Sequence, residues 1–180
     1  MAWSLDSSHG ELLVTTGVTG PAAAMGHRLV LAMTAWQATV TWSGDQPSSV
    51  ELTVDVDSLQ VLRGEGGVKG LSGVEKSLAR SNAVKTLDAK RFPQIRFSAD
   101  QIVTAIDGGY QLNGTLEIHG KTQQRSVDLR VHDLGSAWRM TCDAAVSHED
   151  FDLTPYSLMM GAVKVADPVT VSFRAEYPKD

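Results

Sequence analysis

Five histidines are the residues of this chain that could most readily act as general bases or metal ligands: His9, His27, His119, His132 and His148. None of them pairs with another histidine or with a cysteine at the spacing of a metal-binding motif. We therefore expect no metal site and interpret most of these histidines as structural or surface residues. His27 and His119 stay open as candidate general bases, since a neutral imidazole can accept a proton near neutral pH.

A single thiol, Cys142, is the only cysteine that could serve as a nucleophile. A nucleophilic cysteine needs a neighbouring base and partly exposed, electropositive surroundings. Cys142 instead lies on the apolar side of an alternating segment, so we expect it to behave as a small buried apolar residue. One cysteine also excludes an intramolecular disulfide and any multi-cysteine metal site.

Two further segments have residue types used in catalysis or phosphate binding. Gly64–Gly67 is rich in glycine but lacks the Gly-Lys-Ser/Thr ending of a phosphate-binding loop, so a flexible turn is expected. His148–Asp152 carries several carboxylates that could form an acid–base pair, although charges at a strand end are usually solvated. No nucleophile elbow or dinucleotide-binding motif occurs. The chain is therefore expected to have no catalytic residues and no cofactor.

Composition narrows the range of partners. The 180 residues include 16 Lys and Arg against 21 Asp and Glu, a net charge of −5, which disfavours binding to nucleic acid. No apolar stretch approaches the roughly 20 residues of a membrane-spanning helix.

The length of the chain suits one domain over residues 1–180. The first residues lack the cationic and apolar regions of a signal peptide. A cytoplasmic location is expected as the sequence stands, and a periplasmic or secreted one if a signal has been removed.

The elements that must position these side chains are mostly strands. Val50–Val56 alternates apolar and polar residues, which predicts a half-buried strand, and at least eight segments of the chain behave in this way. Leu71–Leu87 differs, because its apolar residues fall nearer a helical period, with Ser72 or Ser77 as the candidate N-cap. We expect this helix to cover the mouth of a barrel, and the apolar stretch Asp152–Asp167 to fold over the same opening.

Eight or more such strands favour an antiparallel β-barrel, with one face of each strand lining the interior. Hydrophobic residues make up 42% of the chain and aromatic residues only 6%, so most of the apolar side chains are aliphatic. Such a composition suits a barrel with aliphatic inner walls. Periodicity does not distinguish a hollow interior from one that is filled by side chains.

Several segments resemble those of YceI-like proteins and follow the same order along nearly the whole chain. The most distinctive are Phe92–Ser98 and Gly114–Thr122. The full set is Trp3–Leu12, Gly26–Leu31, Ser58–Val61, Gly64–Lys69, Phe92–Ser98, Gly114–Thr122, Pro155–Ser157 and Gly161–Asp167.

The resemblance implies an all-β fold with one short helix: an extended, antiparallel, eight-stranded, lipocalin-like β-barrel. It also implies an apolar tunnel, which in several members holds an isoprenoid chain, an isoprenoid quinone or a fatty-acid-like amphiphile. Many relatives are secreted to the periplasm. The resemblance supplies no catalytic residue, and the chain is interpreted as a binding, storage or transport protein and not an enzyme.

On this hypothesis the inward-facing side chains of the strands contact the ligand. The candidate wall residues are Trp36, Val40, Trp42, Leu52, Val54, Phe97, Leu116, Ile118, Val127, Leu129, Trp138, Met140 and Phe173. The candidate mouth residues are Leu158, Met159 and Met160, whose flexible side chains suit chains of different length. The candidate head-group contacts are His27, Arg28, Tyr156 and Lys164.

Two other functions stay open at this point. One is an enzyme that acts on a hydrophobic substrate with His119 or His27 as its base. The other is a filled barrel that acts through its surface as a protein-interaction module, including a homodimer joined along a sheet edge or through exposed apolar residues.

Overall fold

The structure, a computed structural model, describes all 180 residues and consists mainly of antiparallel strands. Its strands are β1 Ala2–Asp6, β2 Gly10–Thr15, β3 Val18–Thr19, β4 His27–Met33, β5 Trp36–Ser43, β6 Gln46–Asp55, β7 Leu59–Gly66, β8 Gln94–Thr104, β9 Tyr110–Ile118, β10 Lys121–Asp133, β11 Ala137–Ser147, β12 Ser157–Leu158, β13 Val163–Val165 and β14 Pro168–Pro178. The one α-helix, α1, is Gly73–Thr86. Short 3₁₀ turns occur at Ala23–Met25, Val56–Ser58, Glu149–Phe151 and Met159–Gly161.

Strand pairing closes the large sheet into a barrel. Its order is β1-β5-β6-β8-β9-β10-β11-β14-β2-β4-β7, and a separate small sheet has the order β12-β13-β3. The order begins with β1 and ends with β7, but β1 runs on into β2 and β6 runs on into β7. The two ends of the sheet are therefore parts of the same bent strands, and the sheet forms a closed ring. The predicted antiparallel barrel with one helix is confirmed.

The strand count differs from the predicted eight, since the structure has fourteen. Three of the additional strands, β3, β12 and β13, belong to the small sheet, and three more arise because long strands bend at a corner and are divided there: β1 with β2, β4 with β5, and β6 with β7. When each bent pair is counted once, the paired strands around the barrel number eight, and β14 closes the ring against β2. Each bent strand therefore serves two sides of the barrel.

The core lies where these strands bend. Ten buried apolar side chains form it: Leu5, Leu12, Leu31, Met33, Trp36, Ala38, Val54, Leu59, Met140 and Ala175. Most of them belong to the three bent strands, so burial of apolar surface stabilises the corners against straightening. Phe151 is also fully buried, in the 3₁₀ turn that follows β11.

Helix α1 begins where the sequence pattern indicates. Ser72 is the N-cap: its hydroxyl accepts a hydrogen bond from the Glu75 N–H at 3.2 Å, and the Glu75 carboxylate accepts one from the Ser72 N–H at 2.7 Å. This reciprocal capping box satisfies two N–H groups that the first turn leaves unpaired. The Arg80 guanidinium then donates to the Leu59 carbonyl at 2.8 Å and so ties the helix to β7.

One glycine allows β8 and β9 to approach closely. A Cβ at Gly114 would lie 2.1 Å from the Ser98 carbonyl oxygen and 2.8 Å from the Ala99 Cα, next to a bulge between Ala99 and Gln101. Any side chain here must push the two strands apart.

We therefore predict that Gly114→Ala lowers the free energy of unfolding by about 1–3 kcal/mol, the usual cost of overpacking. Urea denaturation measures this change. The matched control is Gly70→Ala, where an added Cβ would meet nothing within 4 Å. Equal effects of the two substitutions would contradict the prediction.

Candidate functional site

A large apolar cavity occupies the barrel interior. Its volume is about 880 Å³, and 40 of its 53 lining residues are hydrophobic. Most strands contribute alternate residues to its wall, as the period of two requires: β6, for example, contributes Val50, Leu52 and Val54. The interior is therefore hollow, which contradicts the filled-barrel interpretation.

Ten of the predicted wall residues line this cavity. They are Val40, Leu52, Val54, Phe97, Leu116, Ile118, Val127, Leu129, Met140 and Phe173. They come from seven strands between β5 and β14, and barrel closure brings their side chains to one space.

The three predicted tryptophans do not line the cavity, and this part of the prediction is wrong. Trp36 is only 3% exposed and packs edge-on against Phe173, with ring centroids 5.3 Å apart, so it belongs to the corner core. Trp42 and Trp138 have the expected inward parity, but they lie at positions along their strands beyond the end of the cavity.

These two tryptophans belong to an aromatic cluster, which we call the aromatic end. Trp3 stacks on Tyr177 with ring centroids 4.4 Å apart and contacts Trp42 at 4.6 Å. Trp138 is paired with Tyr177 in the β11–β14 register and lies beneath the Lys179 ammonium. These large rings close this end of the barrel. The alternating pattern predicts that a side chain faces inward, but it does not predict how far along the barrel axis the side chain lies.

The opposite end carries α1 and the segment between β11 and β14. Leu78 and Ala83 of α1 line the cavity, as do Leu158 and Met159. The expectation that both segments fold over the opening agrees with this arrangement. Met160 is fully exposed and does not line the cavity, contrary to the prediction, and its left-handed backbone (φ 56°) follows another at Met159 (φ 52°).

Three of the four predicted head-group residues reach the cavity: His27, Tyr156 and Lys164. Arg28 does not, because it follows His27 in β4 and the strand alternates, so its side chain is exposed on the other face. His27 Nε2 lies 2.5 Å from the Lys69 carbonyl oxygen, which can only accept, so that nitrogen carries the hydrogen and donates the hydrogen bond.

The two candidate bases are in different places. His27 lies on the cavity wall, whereas His119 lies outside it, with Nδ1 3.3 Å from the Phe151 carbonyl oxygen and its ring edge-on to Phe92. His148, which the sequence pattern places only in a solvated acidic segment, also lines the cavity. Its position depends on the path of the chain after β11, which the sequence pattern does not give. An enzyme that uses His119 on a substrate in the cavity is inconsistent with this geometry.

Two of the three carboxylates of Glu149–Asp152, those of Asp150 and Asp152, form ion pairs with β10 rather than an acid–base pair. Arg125 contacts Asp150 at 2.5 Å, and Lys121 contacts Asp152 at 2.9 Å. The Gln123 amide also donates to the Asp150 carbonyl at 2.8 Å. We call Glu149–Asp152 the latch, because these contacts tie the chain after β11 back to β10.

The end of β11 is held by Asp167. Its carboxylate accepts hydrogen bonds from the Ser147 hydroxyl at 2.5 Å and the Glu149 N–H at 3.0 Å. These two donors stabilise the ionised form and lower the pKa of Asp167 below its ordinary value. The carboxylate therefore links β14, β11 and the latch.

Cys142 lines the cavity and is partly buried. Burial, with the nearby carboxylates of Asp143 and Asp128, raises the pKa of its thiol to about 11. The thiolate needed for nucleophilic attack is thus scarce at neutral pH, in keeping with the interpretation of this residue as a small apolar side chain.

No group of three or more His, Cys, Asp and Glu side chains is placed to hold a metal ion. None of the helices is both long and apolar enough to span a bilayer.

Comparison with known proteins identifies one family. A profile of the YceI-like domain matches residues 3–177. The crystal structure of Burkholderia cenocepacia BcnA is similar over 96% of this chain and 99% of that one, with a TM-score of 0.73 at 19% identity. The Campylobacter jejuni YceI protein is similar over 83% of this chain and 84% of that one, with a TM-score of 0.62 at 13% identity. No curated protein sequence matches the chain. Together these matches indicate a lipocalin-like, hydrophobic-ligand-binding fold.

We predict that Asp167→Asn destabilises the protein at neutral pH. A lowered folded pKa means that the ionised carboxylate stabilises the native state above the unfolded value near 3.8, and that this contribution is lost as pH falls through the folded pKa. The difference in unfolding free energy between wild type and variant should therefore be full at pH 7 and shrink on acidification. Urea titrations over a pH series measure it.

The control for this experiment is Asp45→Asn, in the exposed turn between β5 and β6. A stability difference for Asp167→Asn that does not change between neutral and strongly acidic pH would contradict the assigned role of its charge.

Proposed function

Because this chain belongs to the YceI-like family, we propose that it binds, stores or transports a long-chain amphiphilic lipid of the isoprenoid, isoprenoid-quinone or fatty-acid-like type. The apolar chain occupies the cavity and the polar group lies toward the helix-covered mouth. The observation that carries this proposal is the hollow aliphatic interior of about 880 Å³.

The size of the cavity suits this ligand class. Small-molecule sites are about 300–1,000 Å³, so the interior has room for a single chain. Each buried CH₂ contributes about 0.8 kcal/mol, and ten contribute roughly 8 kcal/mol before the costs of association. Since micromolar affinity corresponds to about 8 kcal/mol, a chain of some 15 carbons or more needs few polar contacts to bind.

The two ends of the cavity differ in a way that orients an amphiphile. The aromatic end is closed by large rings, whereas the mouth places Tyr156, Lys164 and His27 on the cavity wall. A chain that enters tail first keeps its polar group beside a phenol, an ammonium group and an imidazole. The phenol and the ammonium group can donate hydrogen bonds to a hydroxyl, a carbonyl or a carboxylate, and Nδ1 of His27, whose Nε2 is engaged by Lys69, can accept one from a hydroxyl.

We favour binding over catalysis because most of the lining, 40 of 53 residues, is hydrophobic. His27 is the only one of the two candidate bases on the cavity wall, and its Nε2 is engaged with the Lys69 carbonyl. A homodimer joined through exposed apolar residues stays a prediction that gel filtration tests.

The direct test is native mass spectrometry of the purified protein, with organic extraction and identification of any bound molecule. We expect a co-purified long-chain lipid, or stoichiometric uptake of hexadecanoate or hexadecanol by stripped protein. A stripped, folded protein that takes up neither molecule would contradict the proposal.

We predict that Leu116→Glu lowers the affinity for hexadecanol by about a hundredfold or more, since an unpaired carboxylate beside an alkyl chain costs several kcal/mol. Fluorescence displacement of Nile red from the cavity measures the loss. Leu116→Gln, which adds no charge, should have a smaller effect and serves as a second variant if the first does not fold.

The matched control is Val103→Glu, at an exposed position of the neighbouring strand β8. It adds the same charge outside the cavity and should leave hexadecanol affinity unchanged. Circular dichroism verifies that each variant is folded.

A further inference from the structure

The cavity wall is regular except along β10 and β11. The other long strands contribute alternate residues, such as Leu12 and Val14 of β2 or Val169, Val171 and Phe173 of β14. From β10, in contrast, the five consecutive residues Arg125–Leu129 border the cavity, and from β11 so do Cys142–Ser147, with His148 directly after. Consecutive lining residues mean that the cavity extends around the edges of both strands.

Strand pairing shows the reason for this irregularity. β10 and β11 pair only from Arg130↔Thr141 to Asp133↔Trp138, although both strands continue well beyond that point. β10 stays fully paired with β9, and β11 with β14, over the same length. The two strands therefore diverge and leave an opening in the barrel wall.

This opening, which we call the lateral window, lies between Arg125–Leu129 and Cys142–His148. Its lower limit is the last β10–β11 pair, Arg130↔Thr141. Its upper limit is the latch, which returns to β10 through the ion pair of Asp150 with Arg125. The window is thus framed on all sides by ordered contacts and is distinct from the mouth beneath α1.

The charges at the window differ from those at the mouth. Asp128 and Asp143 are exposed on its two edges, and both lie close enough to Cys142 to raise the pKa of that thiol. Asp143 is paired with Arg130 at 3.4 Å, and Arg125 is paired with Asp150, whereas Asp128 has no ion-pair partner within 4 Å. The window therefore carries excess negative charge, whereas at the mouth the Lys164 ammonium and the Glu75 carboxylate both line the cavity and offset each other.

From this geometry we propose that the lateral window is a second portal of the cavity, which admits uncharged or cationic amphiphiles and disfavours anionic ones. The proposal deepens the lipid-binding function above and rests on it. The unpaired backbone edges of β10 and β11 offer hydrogen-bond donors and acceptors to a polar group that passes between them. The carboxylates repel a carboxylate or phosphate head group there, so anionic ligands are left to the mouth.

Cys142 provides a probe at the window, since it is the only thiol of the chain. The wild-type protein is treated with a cationic or an anionic methanethiosulfonate reagent, and labelling is followed by intact mass spectrometry. The ratio of the two rates is normalised to that of 2-mercaptoethanol. Because the reagents pass Asp128 and Asp143, the normalised ratio of the cationic to the anionic labelling rate should be about 5.

Asp128→Asn combined with Asp143→Asn should return the normalised ratio to that of the free thiol. The control, Asp45→Asn with Glu51→Gln, removes two carboxylates from β6 and its preceding turn and should leave the ratio as in wild type. A wild-type ratio equal to that of the free thiol, or one that favours the anionic reagent, would overturn the proposal, because the reagents would then reach Cys142 without passing the window carboxylates.

A reversible crosslink tests passage of a ligand through the window. Extending the β10–β11 register places Ser126 opposite Ala145 across the window, so Ser126→Cys and Ala145→Cys, in a Cys142→Ser background, can be joined by a bis-methanethiosulfonate reagent whose spacer spans the gap. With this reducible crosslink formed, stopped-flow uptake of Nile red should slow by about tenfold and recover on reduction. The control crosslink joins the same β11 position to its β14 partner, Ala145→Cys with Thr170→Cys, and should leave uptake unchanged.

Unchanged Nile red uptake across the closed window would overturn the portal while leaving the proposed function intact. Failure of stripped wild-type protein to bind Nile red, hexadecanol or hexadecanoate would instead contradict the proposed function itself. The labelling experiment tests the portal without any crosslink, since it uses the wild-type Cys142 thiol.

Discussion

Closure of one antiparallel sheet through bent strands is the constraint on which the rest of this structure depends. A strand edge leaves backbone N–H and C=O groups unpaired, and a barrel removes that cost by joining its first and last strands. Here three long strands bend so that each pairs on two sides of the ring. The core side chains of the corners, among them Leu5, Met33 and Leu59, are buried where the bends occur. Packing at the corners and pairing around the ring therefore stabilise each other.

The hollow interior follows from the same geometry. A ring of eight strands is about wide enough for side chains to meet or for one ligand to fit, and residue size decides between these outcomes. Along the cavity the inward positions hold mainly Val and Leu, which leave space between opposite walls. At the aromatic end Trp3, Trp42 and Tyr177 close the interior by stacking. A pocket closed at one end and covered by α1 at the other is well suited to a linear apolar chain.

Polar contacts concentrate where pairing stops. The latch, Asp167 and the edges of the lateral window all lie near the divergence of β10 and β11, and the ion pair of Arg125 with Asp150 spans the gap that missing backbone pairs leave. Charge has thus replaced backbone hydrogen bonding as the connection across this part of the wall. Such a connection depends on pH and salt more than a paired strand does, because screening acts on exposed charges.

Local patterns in the sequence determined much of this protein. Alternation placed Leu52, Val54 and Leu116 on the inner face, and the helical spacing after Ser72 marked the only helix, because both depend on neighbours within one turn or one strand. Tertiary structure alone decided the rest: that Trp42 and Trp138 close one end, that His119 lies outside the cavity, that the interior is hollow, and that β10 and β11 separate. Each of these depends on depth along the barrel axis or on register between distant strands. The period of two gives the face of a residue but neither its depth nor its partner across the barrel.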